Sequence, residues 1–469
     1  MCSLQPSLFS SGLPAVWGSH NLLPGLRRAR AGPSHSLMRR ALLFVKVCWR
    51  TLQVLILLCA ALPASAQDHP FYLHKDDRVV FYGDSITERG SYIAFVESYV
   101  VTRFPELNVS FINSGWSGDW IVGGGGGKVD ERLARDVVAN NPTVATFMLG
   151  MNDAAYQDFD QAFFDVYTKG YEHLLDTLRQ SVPNLRITLL EPSPFDDVTR
   201  APQYALHDGG YNKVMVRYGQ FVRGLARQQH LDAVDMNAPL VAVLEKARLA
   251  EPTLAEKIIP DRIHPSAAGG LVMAAALLEA WDASNVVSTV EIDASHVRLQ
   301  RQQNTRITEL QKKTALSWTQ EDHALPMPFD PKDDVLSLVL RSSNIVESLD
   351  QQLLKVTGLP AAKYALRIDG EEIATWTRDD LARGVNLALL STPMLKQALT
   401  VYAFSGRLHS VRMAQWQGVQ VALQDETSSH VREAVAALNA LENELVAQRK
   451  SAAVPKAHQY ELLPQSDQD

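Results

Sequence analysis

The chain has 469 residues, of which 46% are apolar and 21% charged, enough to bury a large core and long enough for two or three domains of about 100 to 200 residues each. That composition excludes a disordered or fibrous protein. The charge is unevenly placed: residues 1–66 hold seven basic side chains (Arg27, Arg28, Arg30, Arg39, Arg40, Lys46, Arg50) and no acidic one, so 38 basic residues face 52 acidic ones in the remainder, a balance of −14. So acidic a body is a poor binder of DNA, RNA or anionic lipid, and no nucleic-acid partner is expected.

At the start of the chain, basic residues up to Arg50, an apolar run from Val54 to Leu62 and the small residues Ala64, Ser65 and Ala66 follow the order of a secretory signal peptide with an A-x-A cleavage site. This predicts a secreted or periplasmic protein with its mature start near Gln67. The apolar run is well short of the roughly 20 residues that cross a bilayer as a helix, so no stable membrane anchor is expected. Met38, followed by Arg39 and Arg40, opens a signal peptide of ordinary length and rivals Met1 as the true start. Cys2, Cys48 and Cys59 all fall in this segment, leaving the mature chain without a disulfide, a thiolate nucleophile or a cysteine metal site. Leu58 stands where a lipoprotein signal has Gly or Ala, which argues against a lipid anchor.

From Arg78 to Trp281 short apolar runs alternate with helical patterns, the appearance of a parallel sheet covered by helices on both faces. Strands are predicted at 78–82, 108–112, 144–149, 186–190 and 233–236, and helices at 92–103, 129–140, 163–181, 212–229 and 266–281. Five strands with crossover helices make a three-layer α/β sandwich spanning 67–283. Beyond it, residues 284–469 read as an α+β accessory region: an exposed helix or linker over His296 to Lys313, a β-hairpin of Tyr364 to Ile368 and Ile373 to Trp376 around Asp369-Gly370, and a helix from Val431 to Ala447 that ends the ordered part before a polar tail.

The first predicted strand runs into Gly83-Asp84-Ser85-Ile86-Thr87, placing a serine at the carboxyl end of a strand, the edge where open α/β sheets bind ligands. A serine hydroxyl needs a neighbouring base to become a nucleophile. Asp261-Arg262-Ile263-His264-Pro265, ahead of the last helix, can supply both base and orienting carboxylate. Acyl transfer also needs donors for the oxyanion, each worth about 3 kcal/mol in an excluded site. Asn113-Ser114-Gly115-Trp116-Ser117-Gly118-Asp119 offers the Gly118 N–H, and Gly150-Met151-Asn152-Asp153 offers the Asn152 amide. Each block alone is an ordinary turn or helix start, with His264 a surface residue ahead of Ser266 as cap; together, in order and at strand ends, they point to chemistry.

These four blocks resemble those of the SGNH hydrolases, the GDSL-type esterases and lipases, over roughly residues 75 to 283. The resemblance implies a flavodoxin-like fold, Ser85 as nucleophile, His264 as base oriented by Asp261, and an oxyanion hole of the Ser85 N–H, Gly118 and Asn152, with no metal or organic cofactor. Ile86 departs from the leucine of the name motif. Gly115 rivals Gly118, and Ser-Gly-Asp is the better match. The expected activity is ester hydrolysis through an acyl-enzyme on a small-molecule or polysaccharide ester, with a tilt towards carbohydrate O-deacetylation. A lipase, lysophospholipase or thioesterase is the alternative enzyme, and a carbohydrate- or surface-binding protein the alternative of another class.

Gly123 to Gly127 before Lys128 fails as a phosphate loop, because Val122 and Val129 stand where Gly and Ser or Thr are needed; a flexible loop bordering the site, disordered or a mobile lid, is expected instead. Gly115 to Asp119 fails as a nucleophile elbow at its last position. Trp116 and Trp120 suit either stacking on a sugar ring or packing beneath the glycine loop. His207 and Asp208 read as a solvated loop rather than a second acid–base pair.

Overall fold

The computed structural model describes residues 71–201 and 209–465. The predicted N-terminal signal segment with its cysteines, and the His207-Asp208 pair, lie outside the described residues. Five parallel strands form the central sheet: β1 (Arg78–Gly83), β2 (Ser110–Gly115), β3 (Val144–Met148), β4 (Arg186–Leu190) and β5 (Asp232–Val234), in the order β2-β1-β3-β4-β5. Val79, Val80, Phe81 and Tyr82 of β1 are fully buried, as an unbroken apolar run must be when helices cover both faces.

The helices of this part include α1 (Ser85–Arg89), α2 (Ser91–Arg103), α3 (Val129–Arg132), α4 (Gln161–Ser181), α5 (Tyr211–Gln229), α6 (Ala238–Ala250) and α7 (Ala267–Ala280). Past Arg132 the backbone continues through a π turn and a 3₁₀ turn to Asn140, completing the helix expected there. The sequence reading overlooked α6, although Leu240, Val243, Leu244 and Ala247 bury one face at helical spacing.

The chain order of the sheet positions the site. After β1 the chain passes to β2 on one side and then returns to β3 on the other, so the switch point lies beside β1. Gly83 is in register with Gly115 of β2 and with Met148 of β3, so the three strands end level and their following loops converge.

Residues from Val286 onward add two more sheets. Their strands are β6 (Val286–Asp293), β7 (Arg298–Gln303), β8 (Thr305–Lys312), β9 (Leu316–Asp322), β10 (Gln351–Thr357), β11 (Lys363–Ile368), β12 (Glu371–Thr377), β13 (Val385–Asn386) and β14 (Ala457–Gln465). One sheet runs β8-β9-β14-β11-β12 and the other β13-β10-β6-β7. A second core lies between them, with Trp318 stacked on Tyr460 at 5.2 Å and Leu354, Val356, Leu366 and Leu462 buried around it. The helices here include α8 (Asp334–Arg341), α9 (Ile345–Leu349), α10 (Pro393–Met413) and α11 (Ser429–Ala453). Leu336, Leu338 and Val339 of α8, with Ile345 and Leu349 of α9, join the core of the first sheet.

Two expectations are corrected here. The charged, Gln-rich stretch from His296 to Lys313 is neither helix nor linker but the antiparallel strands β7 and β8, held by pairing to β6 and β9. Its outward side chains are nearly all polar, so the pattern hid the strands; backbone pairing with distant partners decides the outcome. The segment after the last helix is no polar tail: β14 alternates buried His458, Tyr460 and Leu462 with more exposed Gln459 and Glu461, and lies in the middle of its sheet. The predicted hairpin is present, with Asp369 and Gly370 both at positive φ as its two-residue turn requires.

Candidate active site

Ser85 opens α1, directly beyond β1. Asp84 caps that helix by accepting the Ile86 N–H at 2.9 Å, and full burial pushes its carboxyl up to about 7. Gly83 has no alternative at this turn, since a Cβ there would lie 2.3 Å from Thr87 Oγ1 and 2.6 Å from the Met148 carbonyl.

His264 Nε2 is 2.8 Å from Ser85 Oγ, and its Nδ1 is 2.7 Å from Asp261 Oδ2. Asp261 Oδ1 accepts the N–H groups of Ile263 and His264. Partial burial opposes its charge, but the bonds from the His264 N–H and ring and from the Ile263 N–H prevail and hold the carboxyl below its ordinary range. Arg262, between the pair, adopts a left-handed conformation with φ 71°; its guanidinium donates to the carbonyls of Asp196 and Ala201, pinning the turn to the loop after β4.

Of the rival glycines, Gly115 ends β2 sealed beneath α1, where a Cβ would come within 2.1 Å of the Glu88 N. Gly118 is exposed, has φ 77° and has nothing within 4 Å of where a Cβ would be. The Asn152 Nδ2 donates to the carbonyl of Asp119 at 2.9 Å, so the loops after β2 and β3 are joined next to Gly118. Tyr156 donates its hydroxyl to Asn152 Oδ1 at 3.0 Å, which fixes which way the amide faces. Asp153 is buried, accepts the Ile121 N–H at 2.7 Å, and is pushed up to about 7 by desolvation.

Supporting residues that the sequence reading missed surround these. The Glu88 carboxylate accepts the Ser117 N–H, tying α1 to the β2 loop. Fully buried Arg132 lies 3.1 Å from Asp119 and 3.2 Å from Asp136, donates to the Ser114 carbonyl at 2.7 Å, and covers the Tyr82 ring. Glu88 could have been suspected from its place one turn beyond the serine; Arg132 carries no local signal. The glycine run expected as a flexible loop forms a short hairpin, with Gly123–Gly124 paired to Gly127–Lys128. Its glycines serve close packing, since a Cβ on Gly126 would lie 2.7 Å from both Arg132 and Trp116. Trp116 lies over Arg132 and Arg135, while Trp120 packs at 5.9 Å from Phe163. Among the described residues no group of three or more His, Cys, Asp or Glu side chains is arranged to hold a metal ion.

Residues 81–270 match the profile of the GDSL-like lipase/acylhydrolase family. That stretch of the chain is a GDSL-type hydrolase domain. It is an ester-bond hydrolase of the GDSL type. An acetylxylan esterase of Geobacillus stearothermophilus is 28% identical over 222 residues, which cover 43% of this chain and 92% of the relative. Among solved structures, a gut microbial diltiazem-metabolizing enzyme superposes with a TM-score of 0.71 at 25% identity, covering 84% of this GDSL-type chain and 98% of its own. A catalytic variant of an acetylxylan esterase from Geobacillus stearothermophilus matches at 24% identity and a TM-score of 0.36, over 45% of this chain and 96% of its own.

Proposed function

We propose that this GDSL-type hydrolase is an exported esterase that removes acetyl groups from carbohydrate, working through an acyl-enzyme on Ser85. The observation that carries the reading is the unbroken line from Ser85 Oγ through both nitrogens of His264 to Asp261. His264 Nε2 takes the Ser85 proton as Oγ attacks the ester carbonyl, and the Asp261 carboxylate holds the ring in that tautomer and offsets the imidazolium charge. The oxyanion is received by the Ser85 and Gly118 N–H groups and by the second N–H of the Asn152 amide, whose first is committed to Asp119. His264 returns the proton to the departing alcohol, and a water molecule then releases the acid by the same route.

The likeness to an acetylxylan esterase supports an acetylated polysaccharide as substrate. Export rests on the N-terminal order of basic, apolar and small residues, and N-terminal sequencing of exported protein is expected to begin near Gln67. Among the described residues no helix is long and apolar enough to cross a membrane.

Short- and long-chain p-nitrophenyl esters and acetylated xylan, offered to wild type and to Ser85→Ala and His264→Ala variants, test the reading. Short-chain and acetylxylan activity that falls on the order of 10⁴-fold or more in both variants is the expected result. A preference for long acyl chains would turn the assignment to a lipase. No activity above the Ser85→Ala background on any substrate would turn it to a binding protein.

A further inference from the structure

The first sheet ends in β2, an edge strand whose outer carbonyls need partners. They find them in the C-terminal helices. Arg412, near the end of α10, donates through Nη1 to the Phe111 carbonyl at 2.8 Å, and Gln417 donates through Nε2 to the Gly115 carbonyl at 3.2 Å. Between α10 and α11 the backbone winds as a π segment, Ala414–Val421, a form that recurs at functional positions in helices. In this segment Trp416 also reaches the hydrolase part: its indole N–H donates to Asp136 at 3.0 Å, and its ring meets Trp116 edge-on at 5.4 Å.

Gly115 and Trp116 are the two residues immediately before Ser117-Gly118. Further back along α10, His409 packs against Gly90, the C-cap of the nucleophile's helix, where a Cβ would come 3.2 Å from its ring. One continuous helical strap therefore touches the helix that carries Ser85 and the loop that carries Gly118.

We propose that Trp416 and Gln417 are positioning residues for the oxyanion loop, so that residues 393–421 complete the active site from outside the GDSL-type domain. This rests on the reading of Ser85 as nucleophile and Gly118 as oxyanion donor. The strap touches no substrate; it fixes where the Gly118 N–H points relative to Ser85 Oγ, and its effect belongs to the tetrahedral state rather than to substrate binding.

The test uses the full chain as wild type, Gln417→Ala, Trp416→Ala, Trp416→Phe and Ser85→Ala, with p-nitrophenyl acetate as substrate and phenylboronic acid as inhibitor. The boron takes up Ser85 Oγ, the proton passes to His264, and the tetrahedral adduct places a boron-bound oxygen where the oxyanion forms. Gln417→Ala and Trp416→Ala are expected to lower kcat about 10-fold with KM unchanged, and to raise the boronate Ki by the same factor. Trp416→Phe, which keeps the edge-on ring but loses the N–H, should recover part of both. Should Trp416→Ala fail to fold, Gln417→Ala and Trp416→Phe carry the same comparison. Unchanged kcat in the folded variants, or a kcat loss without a matching boronate loss, overturns the proposal while full dependence on Ser85 leaves the underlying reading standing. A wild-type rate retained by Ser85→Ala overturns that reading itself.

Discussion

The Tyr156 hydroxyl decides how the Asn152 amide is used. Bonded at its oxygen to Tyr156 and through one N–H to the Asp119 carbonyl, the amide has a single orientation, with its remaining N–H as the spare donor. Ala155 and Tyr156 are both held at positive φ, so the backbone here is bent to deliver that hydroxyl. Tyr156→Phe should lower kcat about 10-fold with little change in KM, and should have no further effect in an Asn152→Ala background. An equal loss in both backgrounds would show that Tyr156 acts elsewhere. At this scale the four motif blocks were legible because serine, histidine, aspartate and asparagine bring their chemistry wherever they stand. Tyr156, Glu88 and Arg132 were not, because their value lies in partners across loop boundaries or on another helix.

The helix that opens with Ser85 is only five residues long, so its start depends on its cap. Burial raises the Asp84 carboxyl from 3.8 to about 7, with the capped N–H opposing and the nearby Asp119 and Glu88 charges adding to the rise. A group whose folded pKa lies above its unfolded value stabilises the fold below the unfolded pKa and loses that contribution as pH rises to the folded one. Asp84 therefore costs stability progressively between about pH 4 and pH 7, by up to about 4 kcal/mol. Asparagine keeps the capping acceptor without the charge, so Asp84→Asn should gain on wild type across that window in urea unfolding. A difference that stays constant from pH 4 to pH 8 would show that Asp84 is not penalised. The α/β alternation was legible at this level because buried parallel strands read as solid apolar runs. β7, β8 and β14 were not, since polar outward faces left them no contrast with a loop.

At the level of the whole molecule, Arg103 at the end of α2 ties the two cores together. It donates to the carbonyls of Val286, Leu325 and Leu349 and to Asp350 at 2.8 Å, and both side chains are buried. Removing one partner of such a pair leaves an uncompensated charge, so Arg103→Met should cost about 3–5 kcal/mol and lower the melting of both parts as one transition. Two separated transitions in the wild type would show that the cores unfold independently. The sequence rhythm marked where the α/β pattern ends, but it could not reveal that α8 and α9 return to the first core, because amphipathic helices do not name the surface they cover.

The place of β14 has a consequence for how the chain is made. β9 and β11 each pair with β14 and not with one another, so their facing edges stay open until residues 457–465 have left the ribosome. The first sheet takes its strands from the early part of the chain, but this five-stranded sheet closes only around β14, the last of its own strands in chain order. Until then the waiting edges are open to other chains, so a chain cut before residue 457 is expected to aggregate more readily than the full chain.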